Sequence, residues 1–315
     1  MAKAKKQKDF RTSIGGQALI EGILMRGVDR QAIVISTDNG HVTKTEELKL
    51  IKERYPILGK PFVRGVVNFT DSMVKGVKAI AYSAEFLPEE EQEVPSRFDV
   101  WIENKIGFEK AQKIIVGVAV FLGMCLAVGL FFILPTLIAG FLDGLIENHI
   151  LRNLSEGGIR LIIFLLYLIL CSCMKDIKRT FAYHGAEHKA IFCYEKGAEL
   201  TIENVRSQSR FHPRCGTSFL FVVIIISILI FSVINWTNPV IRILLRLLLL
   251  PLVVSLSYEI NRFVGRHDNF LTAVLSKPGR LLQHITTSEP DDEMIEVAIE
   301  ALKLVIPEQK EADVW

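Results

Sequence analysis

Apolar residues in this chain are gathered into long blocks instead of alternating with polar ones, and the blocks set the first expectation of its architecture. Ile114 to Leu142 carries no charged residue and exceeds the roughly 20 residues a helix needs to cross a bilayer. Its Gly117, Gly123, Gly129 and Pro135 are tolerated in spanning helices. Thr217 to Ile241 is a second uncharged run, rich in Ile and Val. Two weaker runs follow the same logic. Leu161 to Met174 is short and crosses only if Arg160 snorkels outward at its edge. Val240 to Ile260 carries Arg242 and Arg246 in its first third. Each of these two reads either as a span or as a buried or re-entrant helix.

Charge between the blocks selects the number of spans. Lys175 to Arg214 holds eight Lys or Arg residues and belongs on the cytosolic side, as does the lysine-rich start MAKAKKQKDF. Asp143 to Glu156 has one Arg against Asp143, Glu147 and Glu156, and suits the outside; Trp236 to Pro239 makes a tight external turn. Four spans with both termini inside satisfy every sign, whereas two would put the basic loop outside. Arg246 then lies about two turns into the bilayer, where a lone cation costs several kcal/mol. It either snorkels outward with Arg242 or pairs with Asp143 or Glu147.

The flanking segments are polar and patterned differently. Gln31 to Ser36 favours a strand, Asp38-Asn39-Gly40 signals a hairpin, and His41 to Thr45 completes it, with Ala18 to Met25 as a third strand. From Pro61 to Phe86 the apolar positions Val63, Val67, Val74, Val77 and Ile80 predict a helix, weakened by Gly65 and Gly76. Leu87 to Pro95 reads as a linker. Near the end, Ser288 is the expected cap of a helix with Pro290 just inside it; Ile295, Ala298, Ile299, Leu302 and Val305 form an apolar face that needs a partner surface. The fold class expected is thus an α-helical integral membrane protein of about four transmembrane helices with a small N-terminal α+β cytosolic domain. Residues 1–110 form that domain with its amphipathic helix, 111–260 the membrane domain with cytosolic loop 175–216, and 261–315 a cytosolic helical tail.

Composition agrees with a membrane class: half of the 315 residues are hydrophobic. A net charge of +2, with both signs mixed through the polar parts, gives no basic patch for nucleic acid. Five cysteines, an odd number partly within apolar runs, suggest reduced thiols and no disulfide framework. The basic start is not followed by an apolar core, so it does not read as a secretory signal.

Candidate chemistry concentrates in Tyr183-His184-Gly185-Ala186-Glu187-His188-Lys189. Two histidines four apart share one helix face, where both imidazoles reach a single divalent cation, and Glu187 is placed to take a proton from a water that the ion activates. The spacing is the H-x-x-E-H arrangement of the inverted zincins. A third ligand is needed. His212 precedes the third span, Glu259 lies at the inner end of the fourth, and Cys215 is a softer donor suited to zinc or iron. The other reading makes these histidines hydrogen-bonding or packing groups. His41, His149 and His284 are ordinary polar positions, and His267 is a distant reserve ligand. Gly15-Gly16-Gln17 through Glu21-Gly22 lacks the Gly-Lys-Ser/Thr of a phosphate loop, and its glycines permit tight turns. Glu21 and Arg26 either face the site or pair at the surface.

At these residues the chain resembles the YqhQ-like proteins, domain-of-unknown-function family 1385. The resemblance is carried by Gly15-Gly16-Gln17, Glu21-Gly22 and Met25-Arg26-Gly27, then by His184-Gly185-Ala186-Glu187-His188-Lys189 and His212-Pro213-Arg214-Cys215-Gly216-Thr217. Thr286-Thr287, Glu289-Pro290 and Glu296-Val297-Ala298 extend it to the tail. It implies a bacterial multi-pass membrane protein with a suspected metal site and no established substrate.

The leading expectation is a metal-dependent hydrolase in the cell membrane, acting at the cytosolic interface. His184, His188 and one of His212 or Glu259, with Cys215 as the softer alternative, would hold zinc or a similar divalent metal, and Glu187 would be the base. Its surroundings are the lipid bilayer, and its substrate lipid-linked or another membrane protein. The alternative is a non-enzymatic membrane assembly or scaffold protein with a structural cluster; a transporter ranks third, because the spans hold few charges that pair.

Overall fold

The computed structural model of the protein describes residues 10–48, 55–87, 101, 104–105, 107–141, 146, 148–233, 238–267, 269–308 and 310–313. Four strands, β1 (Gly15–Leu19), β2 (Gly22–Arg26), β3 (Arg30–Thr37) and β4 (Gly40–Glu47), form an antiparallel sheet in chain order. Two-residue turns join β1 to β2 at Ile20-Glu21 and β3 to β4 at Asp38-Asn39. The hairpin read at Asp38-Asn39-Gly40 is present. The stretch expected as one strand, Ala18 to Met25, is instead a hairpin. Leu19 pairs with Gly22, and Glu21 enters the left-handed region at φ 49°. Gly15 and Gly16, expected in turns, lie within β1. An isoleucine and a glutamate are weak turn signals, so pattern alone did not reveal the fourth strand.

The described residues form two compact units, and the first collects three pieces of chain, 1–86, 170–222 and 255–315. Its central strands β2 and β3 are buried on both faces, which explains their unbroken apolar runs. Leu19, Leu24, Ile33 and Ile35 pack with Ala79 of helix α1 (Val63–Ala84). Ile23, Met25, Ala32 and Val34 point the other way, into a core shared by α5 (Lys175–Glu195) and α10 (Asp292–Lys303). The glycines that weakened the helical reading of α1 are contact points. Gly65 lies against Ser255 and Tyr258, and Gly76 against the Gln17 side chain.

The C-terminal apolar face has its partner here: Ile295, Ala298, Leu302 and Val305 are fully buried against α5 and the sheet. Each such Ile or Leu contributes about 1.5–3 kcal/mol. The expected cap moves. Asp291, not Ser288, accepts from the Met294 N–H at 2.9 Å, so Pro290 stands outside the helix. Ser288 N–H instead donates to the Phe181 carbonyl at 2.8 Å, tying the tail to α5. Also with residues in this unit are α6 (Ile202–Arg206), the start of α7 (Gly216–Ser232), the end of α8 (Pro239–Arg266) and α9 (Phe270–Thr286).

The second unit comprises residues 87–169 and 223–254. It holds α2 (Phe108–Val128), a π-helical turn at Gly129–Ile133, α3 (Leu134–Gly140) and most of α4 (His149–Ser172). Three helical stretches, Lys110–Gly140, His149–Ser172 and Val240–Arg266, are long and apolar enough to cross a membrane, and Gly216–Ser232 is a shorter apolar helix. The run Thr217 to Ile241 is therefore shared between α7 and the first turn of α8. The expected linker at 88–95 lies outside the described residues, as do Asp143, Glu147 and Trp236.

Arg160 does not snorkel at an edge. It sits inside α4, which begins twelve residues before Leu161, and is buried. Pro135 has no N–H to give the carbonyl four residues back, that of Phe131. Arg160 Nε donates to this carbonyl at 2.7 Å, in the π-helical turn just before the proline. Arg246 finds its partner in Glu156, an acid read as external: Nη2 donates to Oε2 at 3.0 Å and Nη1 to Oε1. Both side chains are 1% exposed, and Thr136 Oγ1 donates to the same carboxylate at 2.7 Å. One carboxylate thus serves two guanidiniums, since Arg160 lies 3.5 Å from it.

Candidate metal centre

The second half of α5 is buried almost continuously from Ala182 to Tyr194 because three layers close on it: the sheet, α10 and the segment that carries Cys215. Gly185 permits the closest approach. A Cβ there would overlap the Ser288 carbonyl oxygen, so no other residue lets the 288–290 segment lie across α5. On this helix His184 and His188 stand one turn apart, with ring centroids 4.4 Å from each other.

Their outer nitrogens are anchored. His184 Nδ1 bonds the Thr286 carbonyl at 2.8 Å and His188 Nδ1 bonds the Arg210 carbonyl at 2.5 Å. A carbonyl only accepts, so each Nδ1 carries a hydrogen and donates it; Nε2 is left as the ligating atom of both rings. Metal-bound histidines are commonly oriented in this way. His184 Nε2 lies 3.1 Å from Cys215 Sγ, and one ligand atom from each of His184, His188 and Cys215 falls within 4.8 Å of the others. Cys215 stands just ahead of α7, where Thr217 N–H donates to its sulfur at 3.4 Å, an environment that favours a thiolate.

Electrostatics follow from this crowding. Burial opposes charge on Cys215, yet the two facing imidazoles outweigh it and hold the thiol well below its ordinary range. Burial likewise opposes a charged His184, but the thiolate lifts it to about 9. The pair thus shares a cation between Nε2 and Sγ: either a proton or a divalent metal, which would displace that proton. Two imidazoles and a thiolate are a donor set for zinc with one position open.

Glu187 is buried at the same turn. Its Oε1 accepts the Gly16 N–H of β1 at 2.9 Å, and a Cβ on Gly16 would lie 2.9 Å from its carboxyl carbon. Burial pushes Glu187 above the usual carboxylate range against the pull of His188 and His184. His212 lies beside the group, its ring 5.5 Å from that of His188, but it is turned to other partners. Its backbone exchanges two bonds with the Gln283 amide, and its Nε2 lies 3.6 Å from Glu195. Burial lowers its affinity for a proton. Glu259 is held by Arg64 Nε at 2.8 Å and is not among the three converging donors. Glu21 pairs with Arg179 and Tyr183, and Arg26 with Asp71. The group that the sheet offers to this turn is the Gly16 amide. A backbone N–H has no sequence signature, although a glycine pair opposite a buried acid is what such an approach requires.

The class defined by these features is a mostly helical protein with a small antiparallel sheet, apolar helices of membrane-spanning length and a His-His-Cys donor set of which His188 and Cys215 are buried. The chain belongs to the family described as "Protein of unknown function (DUF1385)", whose pattern matches residues 60–308. It is 32% identical over 301 residues to "Uncharacterized protein YqhQ" of Bacillus subtilis (strain 168), covering 91% of this chain and 90% of that protein. No solved structure matches it.

Proposed function

We propose that the protein is a metal-dependent hydrolase embedded in the cell membrane by four spans, both termini cytosolic, with its centre at the cytosolic interface. The topology rests on the three long apolar helices, on α7 as the shorter fourth, and on the eight basic residues between Lys175 and Arg214. The observation that carries the chemistry is the anchoring of both Nδ1 atoms to carbonyls, which turns two Nε2 atoms toward the Cys215 sulfur. His184, His188 and Cys215 hold zinc or a similar cation, which would supply Lewis-acid activation of water at neutral pH. Glu187, whose affinity for a proton burial raises, is placed to take up a proton. The substrate is lipid-linked or another membrane protein.

A second reading has its own support: the Glu187 bond to Gly16 staples β1 to α5, as a structural site would. The test starts with metal content of the purified chain. Roughly one equivalent is expected in the wild type and none in His184→Ala or His188→Ala. Metal absent from all three, or retained by the variants, overturns the centre. Glu187→Gln then separates the readings: a hydrolase keeps metal and fold and loses function, whereas a structural site keeps all three.

A further inference from the structure

Arg64, Asn68, Asp71 and Ser72 recur at helical spacing along one side of α1 and line a cavity of about 580 Å³. Its floor is the start of the sheet, where Gly15, Gly16 and Gln17 of β1 lie beside Arg26 of β2. The far wall is Tyr258 and Arg262, one turn apart near the end of α8. All of these residues belong to the first unit. Gly16 is both part of this floor and the donor to Glu187, so the cleft and the candidate centre meet at this residue.

Three guanidiniums line the cleft, and two of them are matched by acids. Arg26 donates to Asp71 Oδ2 at 2.9 Å and to Ser72 Oγ at 3.1 Å, and Asp71 is shared further with Lys75. Arg64 holds Glu259 through both Nε and Nη2. Arg262 acts on the same Glu259 carboxylate through space, but among the described residues no hydrogen bond or ion pair engages its guanidinium. Hydrogen-bonding capacity is also left over. Asn68 Nδ2 donates to the Tyr258 oxygen at 2.8 Å, which leaves the phenolic hydrogen to be given elsewhere. The half-buried Gln17 amide makes no hydrogen bond among the described residues.

We infer that this cleft binds a phosphate ester, with Arg262 as its charged anchor and Tyr258 and Gln17 as neutral donors. An unpaired guanidinium, a phenolic O–H and an amide around one cavity are donors for an anion with several oxygens. They come from the sheet and from α8, on different sides, which suits a tetrahedral phosphate better than a flat carboxylate. Tyr258 and Arg262 lie in the last turns of a stretch long enough to span a bilayer, so a lipid headgroup and a soluble ester both fit this chemistry. The inference names a substrate class for the proposed hydrolase and rests on that reading for the ligand's fate; binding itself needs neither the metal nor Glu187.

The full chain, purified in detergent, is titrated with glycerol 3-phosphate, glycerol and phosphatidylglycerol by native mass spectrometry, and its metal content is measured on the same samples. The wild type is expected to bind a phosphate-bearing ligand at least about tenfold more tightly than glycerol. Arg262→Ala should lose about tenfold or more of that affinity, whereas Lys78→Ala, an exposed cation on α1 that does not line the cleft, should lose none. Gly15→Leu is an independent block: a Cβ there meets nothing within 4 Å, so the side chain enters the cleft without disturbing the fold and should exclude the ligand. Preference for phosphatidylglycerol over glycerol 3-phosphate assigns the phosphate to a lipid, and the opposite order to a soluble ester. Glycerol bound as tightly as its phosphate overturns the site, as does wild-type affinity in Arg262→Ala or in folded Gly15→Leu. Displacement of the ester by an equal concentration of acetate overturns it too. A chain that binds the ester without carrying metal loses the centre and keeps this cleft; metal without ester binding does the reverse.

Discussion

Two buried polar clusters invite comparison, one in each unit. Around Glu156, donors from two arginines and a threonine meet acceptors. Arg246 and Thr136 close on one carboxylate, and Arg160 fills the carbonyl opposite the missing N–H of Pro135. Around Cys215 two imidazole nitrogens and a sulfur converge, and either a shared proton or a metal cation would reconcile them. A cluster in which donors meet acceptors is held by its own bonds. One that converges acceptors on a common point is the arrangement the proposed metal centre requires.

The largest effect that would break this contrast comes from Glu156→Gln. Removing the acid strands a buried guanidinium, and a loss of about 3–5 kcal/mol is expected in detergent unfolding experiments. Adding Arg246→Met should recover much of it, because the desolvated charge goes too. A mild effect of the single change would show that the pair is solvated and the contrast unsound. Gly185→Ala tests the other cluster through its packing. The new methyl meets the Ser288 carbonyl oxygen, so about 1–3 kcal/mol should be lost, with weakened metal retention as the 286–290 segment shifts. Unchanged melting would mean that this segment does not hold His184.

The smallest effect belongs to Asp71, a partly exposed acid paired with Arg26 and Lys75. Burial raises its carboxyl, but the two cations outweigh burial and hold it below the ordinary value near 3.8. A depressed carboxylate stabilises the fold above its unfolded pKa, and this contribution is lost as pH falls through the folded value. Asp71→Asn should therefore flatten the acid limb of stability below about pH 4, by less than about 1 kcal/mol because the pair is screened. A steeper limb in the variant would contradict the sign.

Legibility differed with the range of the interaction. His184, Glu187 and His188 were visible because a helix fixes their relation over four residues. Cys215 was visible as a soft donor, but its position against His184 depends on a contact 31 residues apart. Spacing gives Gly185 no role of its own between the histidines, and it assigns Glu156 to an external acidic segment while offering Asp143 or Glu147 as the partner of Arg246. The β1–β2 hairpin was hidden by turn residues that carry no turn signal.

Local periodicity was enough to establish the apolar helices, the β3–β4 hairpin and the face of α10, since each is a property of a few neighbouring residues in a repeating geometry. The tertiary structure alone decided that Glu156 neutralises Arg246, that backbone carbonyls anchor two imidazoles, and that Gly16 reaches Glu187 across 171 residues. Those relations satisfy buried polar groups from distant parts of the chain. Residue spacing does not encode which of many possible partners a buried group meets once the layers close.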